Sequence, residues 1–168
     1  MKISGTFPAG EADAAAPAFC YCETPAGILR LEEDQDGIAS VSFADYSFCP
    51  KEAGCPGKYL AEAEKQLAEY FAGSRRVFDL PLSPKGSEFQ KRVWKALCDI
   101  PYGETRSYQE IAEAVGNAKA ARAVGLANNR NPIVILIPCH RVIGKSGKLT
   151  GYAGGLDRKQ FLLKLEGS

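Results

Sequence analysis

Ile133-Val134-Ile135-Leu136-Ile137-Pro138-Cys139-His140-Arg141-Val142-Ile143-Gly144 is the stretch on which the reading of this chain turns. A β-branched apolar run of this kind reads as a segment with little solvent on either face. Pro138 has no backbone N–H to donate, so a regular strand is expected to break there. The break carries Cys139 and His140 side by side, and His140 is the only histidine in 168 residues. A thiol so placed is either inert packing or a nucleophile kept dry until its substrate arrives.

Around this centre the composition is that of an ordinary globular protein. The chain is 45% hydrophobic and 24% charged with a formal net charge of +1, long enough for one large domain or two small ones. Near-neutrality gives no global nucleic-acid signal, so a basic binding face must be local. No apolar run approaches the roughly 20 residues of a spanning helix. The N-terminal residues lack the apolar core of a signal peptide, and a cytoplasmic protein with no membrane partner is expected. Six cysteines (Cys20, Cys22, Cys49, Cys55, Cys98, Cys139) read as free thiols, metal ligands or a catalytic residue rather than disulfides. The Cys20-x-Cys22 pair and the gap from Cys49 to Cys55 do not match common zinc spacings, so neither structural zinc nor any other cofactor is expected.

Upstream, short apolar segments at Phe19–Cys22, Ile28–Leu31 and Ile38–Phe43 are separated by turn signals at Pro25-Ala26-Gly27 and Asp34–Gly37. They predict a small antiparallel sheet. Leu60, Ala63, Leu67, Tyr70 and Phe71 recur at helical spacing before the stop at Gly73. Val77–Leu80 is expected as a further strand. A boundary at Pro81–Gly86 divides residues 1–82 from a helical half, 83–168. There Phe89, Val93, Trp94, Leu97 and Ile100 form one stripe. Ser107-Tyr108-Gln109-Glu110 is a capping box for a helix ending at Gly116. Asn117 is expected to cap a second helix from Ala118 to about Ala127. The pair has the layout of a helix-turn-helix, which it shares with ordinary helical hairpins. A final helix, Asp157 to about Glu166, is expected to bury Phe161, Leu162 and Leu165.

The chemistry at the centre needs a thiolate, because the thiolate is the nucleophile. A neighbouring imidazole can take the proton, directly or through water, and a carboxylate on the imidazole's far nitrogen would set its tautomer. Glu166 is the candidate carboxylate, since an anion at a helix C-terminus is disfavoured by the dipole and calls for a compensating partner.

Ile137-Pro138-Cys139-His140-Arg141-Val142 resembles the signature of the O6-alkylguanine-DNA alkyltransferases. So do Pro101-Tyr102-Gly103-Glu104-Thr105, Ser107-Tyr108-Gln109, Ala121-Arg122-Ala123-Val124-Gly125, Asn131-Pro132, Gly151-Tyr152, Gly154-Gly155 and Leu162-Leu163 with Glu166. The resemblance runs from about Phe89 to Glu166, and the first half matches the family's ribonuclease H-like domain in outline. It implies an α/β (α+β) chain: a small N-terminal sheet with a helix, then a helical domain with a DNA-binding helix-turn-helix.

The implied reaction is single-turnover repair. The protein binds duplex DNA through the minor groove, flips an O6-alkylated guanine out of the stack, and takes the alkyl group onto Cys139. His140 and Glu166 resemble the base and its orienting carboxylate, Tyr108 the phenol that helps expel guanine, and Asn131 the residue bracing the turns around the cysteine. DNA contacts are implied for Arg122, Tyr108, Ala121, Ala123, Gly125 and Asn117. A base pocket is implied for Pro138, Val142, Tyr152, Ala153 and Gly154, with Ala153 standing where some relatives have serine. A monomer is assumed. The competing readings are a silent alkylated-DNA-binding relative, a Cys-His-Glu hydrolase and a helix-turn-helix transcription factor. The first is disfavoured by the presence of Cys139. The second lacks an identifiable oxyanion hole, and the third has no use for Cys139, His140 and Glu166 together.

Overall fold

The computed structural model describes residues 18–45 and 57–168, and the chain separates into two compact units, Met1–Lys85 and Gly86–Ser168. In the first, β1 (Ala18–Thr24), β2 (Gly27–Glu33) and β3 (Ile38–Phe43) form an antiparallel sheet in the order β1-β2-β3. Period-2 alternation turns Cys20 and Cys22, and Leu29 and Leu31, into the core, while Ile38 and Val41 of β3, three apart, are both buried across a register shift at Glu32/Glu33. Helix α1 (Lys58–Phe71) covers them with Leu60, Ala63, Leu67 and Tyr70. Its N-terminus has no side-chain cap of its own. The Glu33 carboxylate instead accepts the backbone N–H groups of Tyr59 and Leu60, each at 2.9 Å. A Cβ at Gly57, whose φ is +94°, would fall on that carboxylate.

Two expectations for this unit are overturned. Val77–Leu80 is not a strand, because the Gln66 side chain takes the backbone of Asp79 at both N–H and C=O (2.8 and 3.0 Å). Only Leu82 bridges to Ile38, between Pro81 and Pro84. Cys20, expected as a free thiol or metal ligand rather than in a disulfide, is disulfide-bonded. Composition cannot tell which cysteines a fold brings together. Cys22 remains a free buried thiol. Among the described residues no group of three or more His, Cys, Asp or Glu is placed to hold a metal ion, and no helix is long and apolar enough to cross a membrane. Cys49 and Cys55 lie outside the described residues.

The second unit comprises α2 (Glu88–Cys98), β4 (Arg106–Ser107), α3 (Tyr108–Ala114), α4 (Ala121–Asn129), β5 (Val142–Ile143) and α5 (Leu156–Leu165). β4 and β5 pair in parallel, Arg106 with Val142 and Ser107 with Ile143. Capping boxes start two of the helices: Ser87 with Gln90 on α2, and Ser107 with Glu110 on α3. Val93, Trp94 and Leu97 of α2 are buried, and the Trp94 indole N–H donates to Ala127 O at 2.8 Å, tying α2 to α4.

Helix α4 begins later than expected. Asn117 Oδ1 accepts from Lys119 N, and this tight turn occupies the residues assigned to the first helical turn, so α4 starts uncapped at Ala121. On α5, Phe161 is exposed, while Lys159, Leu162 and Leu163 are buried. The run from Ile133 to Ile137 is fully buried yet forms no regular strand. With no neighbouring strand to pair with, it closes on itself: Ile137 N donates to Ile133 O at 3.0 Å, and Ile135 takes a positive φ of 72°.

Candidate active site

The reactive pair lies on a single 3-10 turn, Cys139–Arg141, directly after Pro138. A strand would send Cys139 and His140 to opposite faces, and the turn removes that obstacle. The turn is held from behind by Asn131. Its side-chain amide donates to Ile137 O at 2.8 Å while its Oδ1 accepts from Ile133 N at 2.9 Å. Asn128 donates to Cys139 O at 3.4 Å. Cys139 is 2% exposed. Burial pushes its thiol up to about 11, while Asn131 and the Lys159 charge pull the other way, so at neutral pH the resting group is a thiol.

His140 is fully buried, and its Nε2 lies 2.8 Å from Glu166 Oε1. Burial opposes the Glu166 charge. Hydrogen bonds from His140 and Arg141, with the Arg141 charge, overcome it and hold the carboxyl at about 2. An ionised carboxylate only accepts, so Nε2 carries the hydrogen. Desolvation in turn lowers the basicity of His140, against the pull of Glu166. In the neutral ring Nδ1 is the acceptor, and this buried atom has no hydrogen-bond partner among the described residues. It is the nitrogen able to receive the Cys139 proton.

Two buried cations escaped the sequence reading. Lys159 is fully buried, and its ammonium donates to Val142 O at 2.6 Å and Thr150 O at 2.9 Å. Burial brings its pKa down to about 8. Arg141 meets both oxygens of Glu166 at 2.9 Å and donates to Ile100 O at 2.7 Å. Nothing in α5's sequence pattern marks Lys159, which looks like a solvated lysine one residue before a glutamine. Arg141 was visible only as part of a motif.

The remaining candidates are distributed over three surfaces. Tyr108 opens α3 half-buried, with its hydroxyl donating to Thr150 O at 3.0 Å. Gly125 on α4 faces the Tyr108 ring, so this position is partly covered. Arg122 and Ala123 are exposed on α4, Ala121 is half-buried, and Asn117 is exposed in the preceding turn. Pro138, Val142 and Tyr152 are buried around the thiol, whereas Ala153 is exposed and Gly154 half-buried in the loop before α5.

Comparison with known proteins gives the family. Residues 88–168 match the family described as 6-O-methylguanine DNA methyltransferase, DNA binding domain, and residues 19–84 match its ribonuclease-like domain. The chain is 56% identical over 156 residues to the methylated-DNA–protein-cysteine methyltransferase of Methanosarcina acetivorans, covering 89% of this chain and 98% of the relative. It is 52% identical over 155 residues to the constitutive enzyme of that name from Bacillus subtilis, covering 88% and 94%. The crystal structure of Mycobacterium tuberculosis OGT in complex with DNA superposes with a TM-score of 0.80 at 49% identity, covering 89% of this chain and 92% of that one. The chain therefore belongs to the 6-O-methylguanine DNA methyltransferase family, whose curated members are the methylated-DNA–protein-cysteine methyltransferases.

Proposed function

We propose that this chain repairs duplex DNA by moving the alkyl group of O6-alkylguanine onto Cys139, once per molecule. The observation that carries the reading is the relay itself. A buried thiol stands beside an imidazole whose Nε2 is pinned by an ionised carboxylate and whose Nδ1 is left as an acceptor.

The target atom lies inside a stacked helix, so the guanine must be flipped into the protein. The helix-turn-helix of α3 and α4 offers the docking face, with Arg122 exposed and aimed at solvent beside the small Ala123. Arg122 fills the space that the base leaves. Arriving between the backbone of the Cys139 turn and the loop after Thr150, the base offers its amine to the carbonyls of Val142 and Cys139. Val142 O already accepts from Lys159, and Cys139 O accepts from both the Asn128 amide at 3.4 Å and the Val142 backbone N–H, so there the base amine displaces the long Asn128 contact. Tyr108, now bonded to Thr150 O, turns its hydroxyl to the guanine.

The thiol proton passes to His140 Nδ1 through a water. The sulfur attacks the alkyl carbon, the carbon–O6 bond breaks, and its electron pair stays with guanine, which Tyr108 helps to expel by donating toward O6. Proton return from His140 through solvent leaves neutral guanine, neutral histidine and a thioether. Lys159 supplies positive charge close to Cys139 while the thiolate exists. Nothing in the site can cleave the thioether. A single chain carries every group in this scheme, which supports a monomer.

The test is incubation with an oligonucleotide containing O6-methylguanine, followed by intact mass and peptide mapping. One added methyl on Cys139, with at most one equivalent of guanine restored, is expected. Lesion binding without modification, or modification of another cysteine, overturns the reading.

A further inference from the structure

His140 and Glu166 alone would make a poor base. Burial favours the neutral His140 ring, but the hydrogen bond and charge of Glu166 pull it toward imidazolium, which cannot accept the Cys139 proton. The structure contains a group that changes this balance. Arg141 follows His140 on the same turn and is 6% exposed. Its Nε and Nη2 reach Glu166 Oε2 and Oε1 at 2.9 Å, and Oε1 is the oxygen shared with His140. The guanidinium is itself held in place. Nη1 donates to Ile100 O at 2.7 Å, and the ion lies 5.8 Å from the centroid of the Tyr102 ring, whose hydroxyl donates to Leu165 O at 3.2 Å. The Pro101–Thr105 turn therefore helps to fix Arg141 against the end of α5.

We propose that Arg141 is a positioning residue of alkyl transfer: by neutralising Glu166 through a two-point ion pair, it keeps His140 uncharged and able to accept the proton of Cys139. This rests on the relay reading above. With Arg141 and Glu166 balanced, a neutral His140 leaves the pair without net charge, and Glu166 still orients Nε2–H. Without the guanidinium, the unbalanced carboxylate draws a proton onto the imidazole. Among the described residues, the other ionisable groups facing this cluster are Lys159 of α5, which opposes a charged His140, Cys139 beside it, Tyr152, on which the Glu166 and Cys139 charges act, Tyr102 beside the guanidinium, and Cys98 with Asp99 at the end of α2, near Arg141. Lys159 is engaged with the carbonyls of Val142 and Thr150 and does not hold Glu166.

Because His140 is the only histidine in the chain, its imidazole nitrogen signals can be read without assignment. The experiment follows those signals and the single-turnover rate on an O6-methylguanine duplex from pH 5.5 to 9, in the wild type, Arg141→Met and Arg141→Lys. In the wild type His140 is expected to be neutral with hydrogen on Nε2 throughout. In Arg141→Met the ring is expected to titrate near or above neutrality. The rate should then fall about ten-fold per pH unit below that titration and recover in alkali. Arg141→Lys keeps the charge at one oxygen and is expected to lie between the two.

A doubly protonated His140 in the wild type at pH 7 overturns the proposal without any variant. So does an Arg141→Met protein that loses rate equally at every pH while its histidine stays neutral. If Arg141→Met does not fold, Arg141→Lys decides, and an unshifted acid limb with a uniform rate loss counts against the proposal. Failure of the wild type to alkylate Cys139 would instead remove the repair reading, while the nitrogen signals would still report on Arg141.

Discussion

Two glutamates in this molecule do opposite work at opposite ends of helices. Glu33, on β2, reaches the N-terminus of α1 and accepts two backbone N–H groups, where the helix dipole favours an anion. Glu166 caps the C-terminus of α5, where the dipole opposes it, and His140 and Arg141 hold it there. The first carboxylate joins a sheet to a helix and needs no other charge. The second forces a cluster of buried ionisable groups into one place, and such a cluster can move a proton. A carboxylate seated where local physics disfavours it is the better guide to function.

The largest effect should come from Glu166→Ala. Stranding Arg141 and His140 without their partner is expected to cost about 3–5 kcal/mol and abolish alkyl transfer, measured by urea unfolding and a single-turnover assay. An active, equally stable variant would end the contrast between the two glutamates.

Acid should act through the same cluster. His140 has its basicity lowered, so below its ordinary 6.5 the unfolded chain binds a proton that the folded one refuses. Glu166 sits at about 2, so its contribution is complete above the ordinary 4.5 and is lost as pH falls toward 2. Both slopes have the same sign, and stability should drop by up to about 1.4 kcal/mol per pH unit per proton below pH 6.5. Urea midpoints from pH 7 to 4 test this, and His140→Gln should remove the upper part of the slope.

Glu33→Ala should be milder. Losing a cap to α1 typically costs about 1 kcal/mol, with transfer to Cys139 unchanged and the acid slope retained. Loss of transfer in this variant would show that the two units are not separable in function. The smallest effect on stability is expected for Arg122→Ala, within about 0.5 kcal/mol because the side chain is exposed. Its cost should appear instead in binding of duplex DNA, by mobility shift, with reaction toward free O6-benzylguanine intact.

Much of this was legible in local patterns. The alternation in β1, the stripe on α2 and the Ser107–Glu110 box each depend on neighbours within a few residues, and those parts of the fold agree with the sequence reading. The pairing of His140 with Glu166 spans 26 positions and was reached from the argument about an anion at a helix end. Long-range competition accounts for the failures. Gln66 took the backbone at Asp79 that a strand would have used, and Asn117 closed a turn before α4 could start. The apolar run before Pro138 pairs with itself, because hydrophobicity specifies burial but not the partner of each N–H.

Chemical identity thus lay in the chain order: which thiol, which imidazole, which carboxylate, and a helix pair with one exposed arginine. The protonation state of the site was decided only by the tertiary structure. It depends on burial and on two cations that no spacing in the sequence encodes: Arg141, which meets both oxygens of Glu166 at 2.9 Å, and Lys159, whose charge acts on Cys139 and His140.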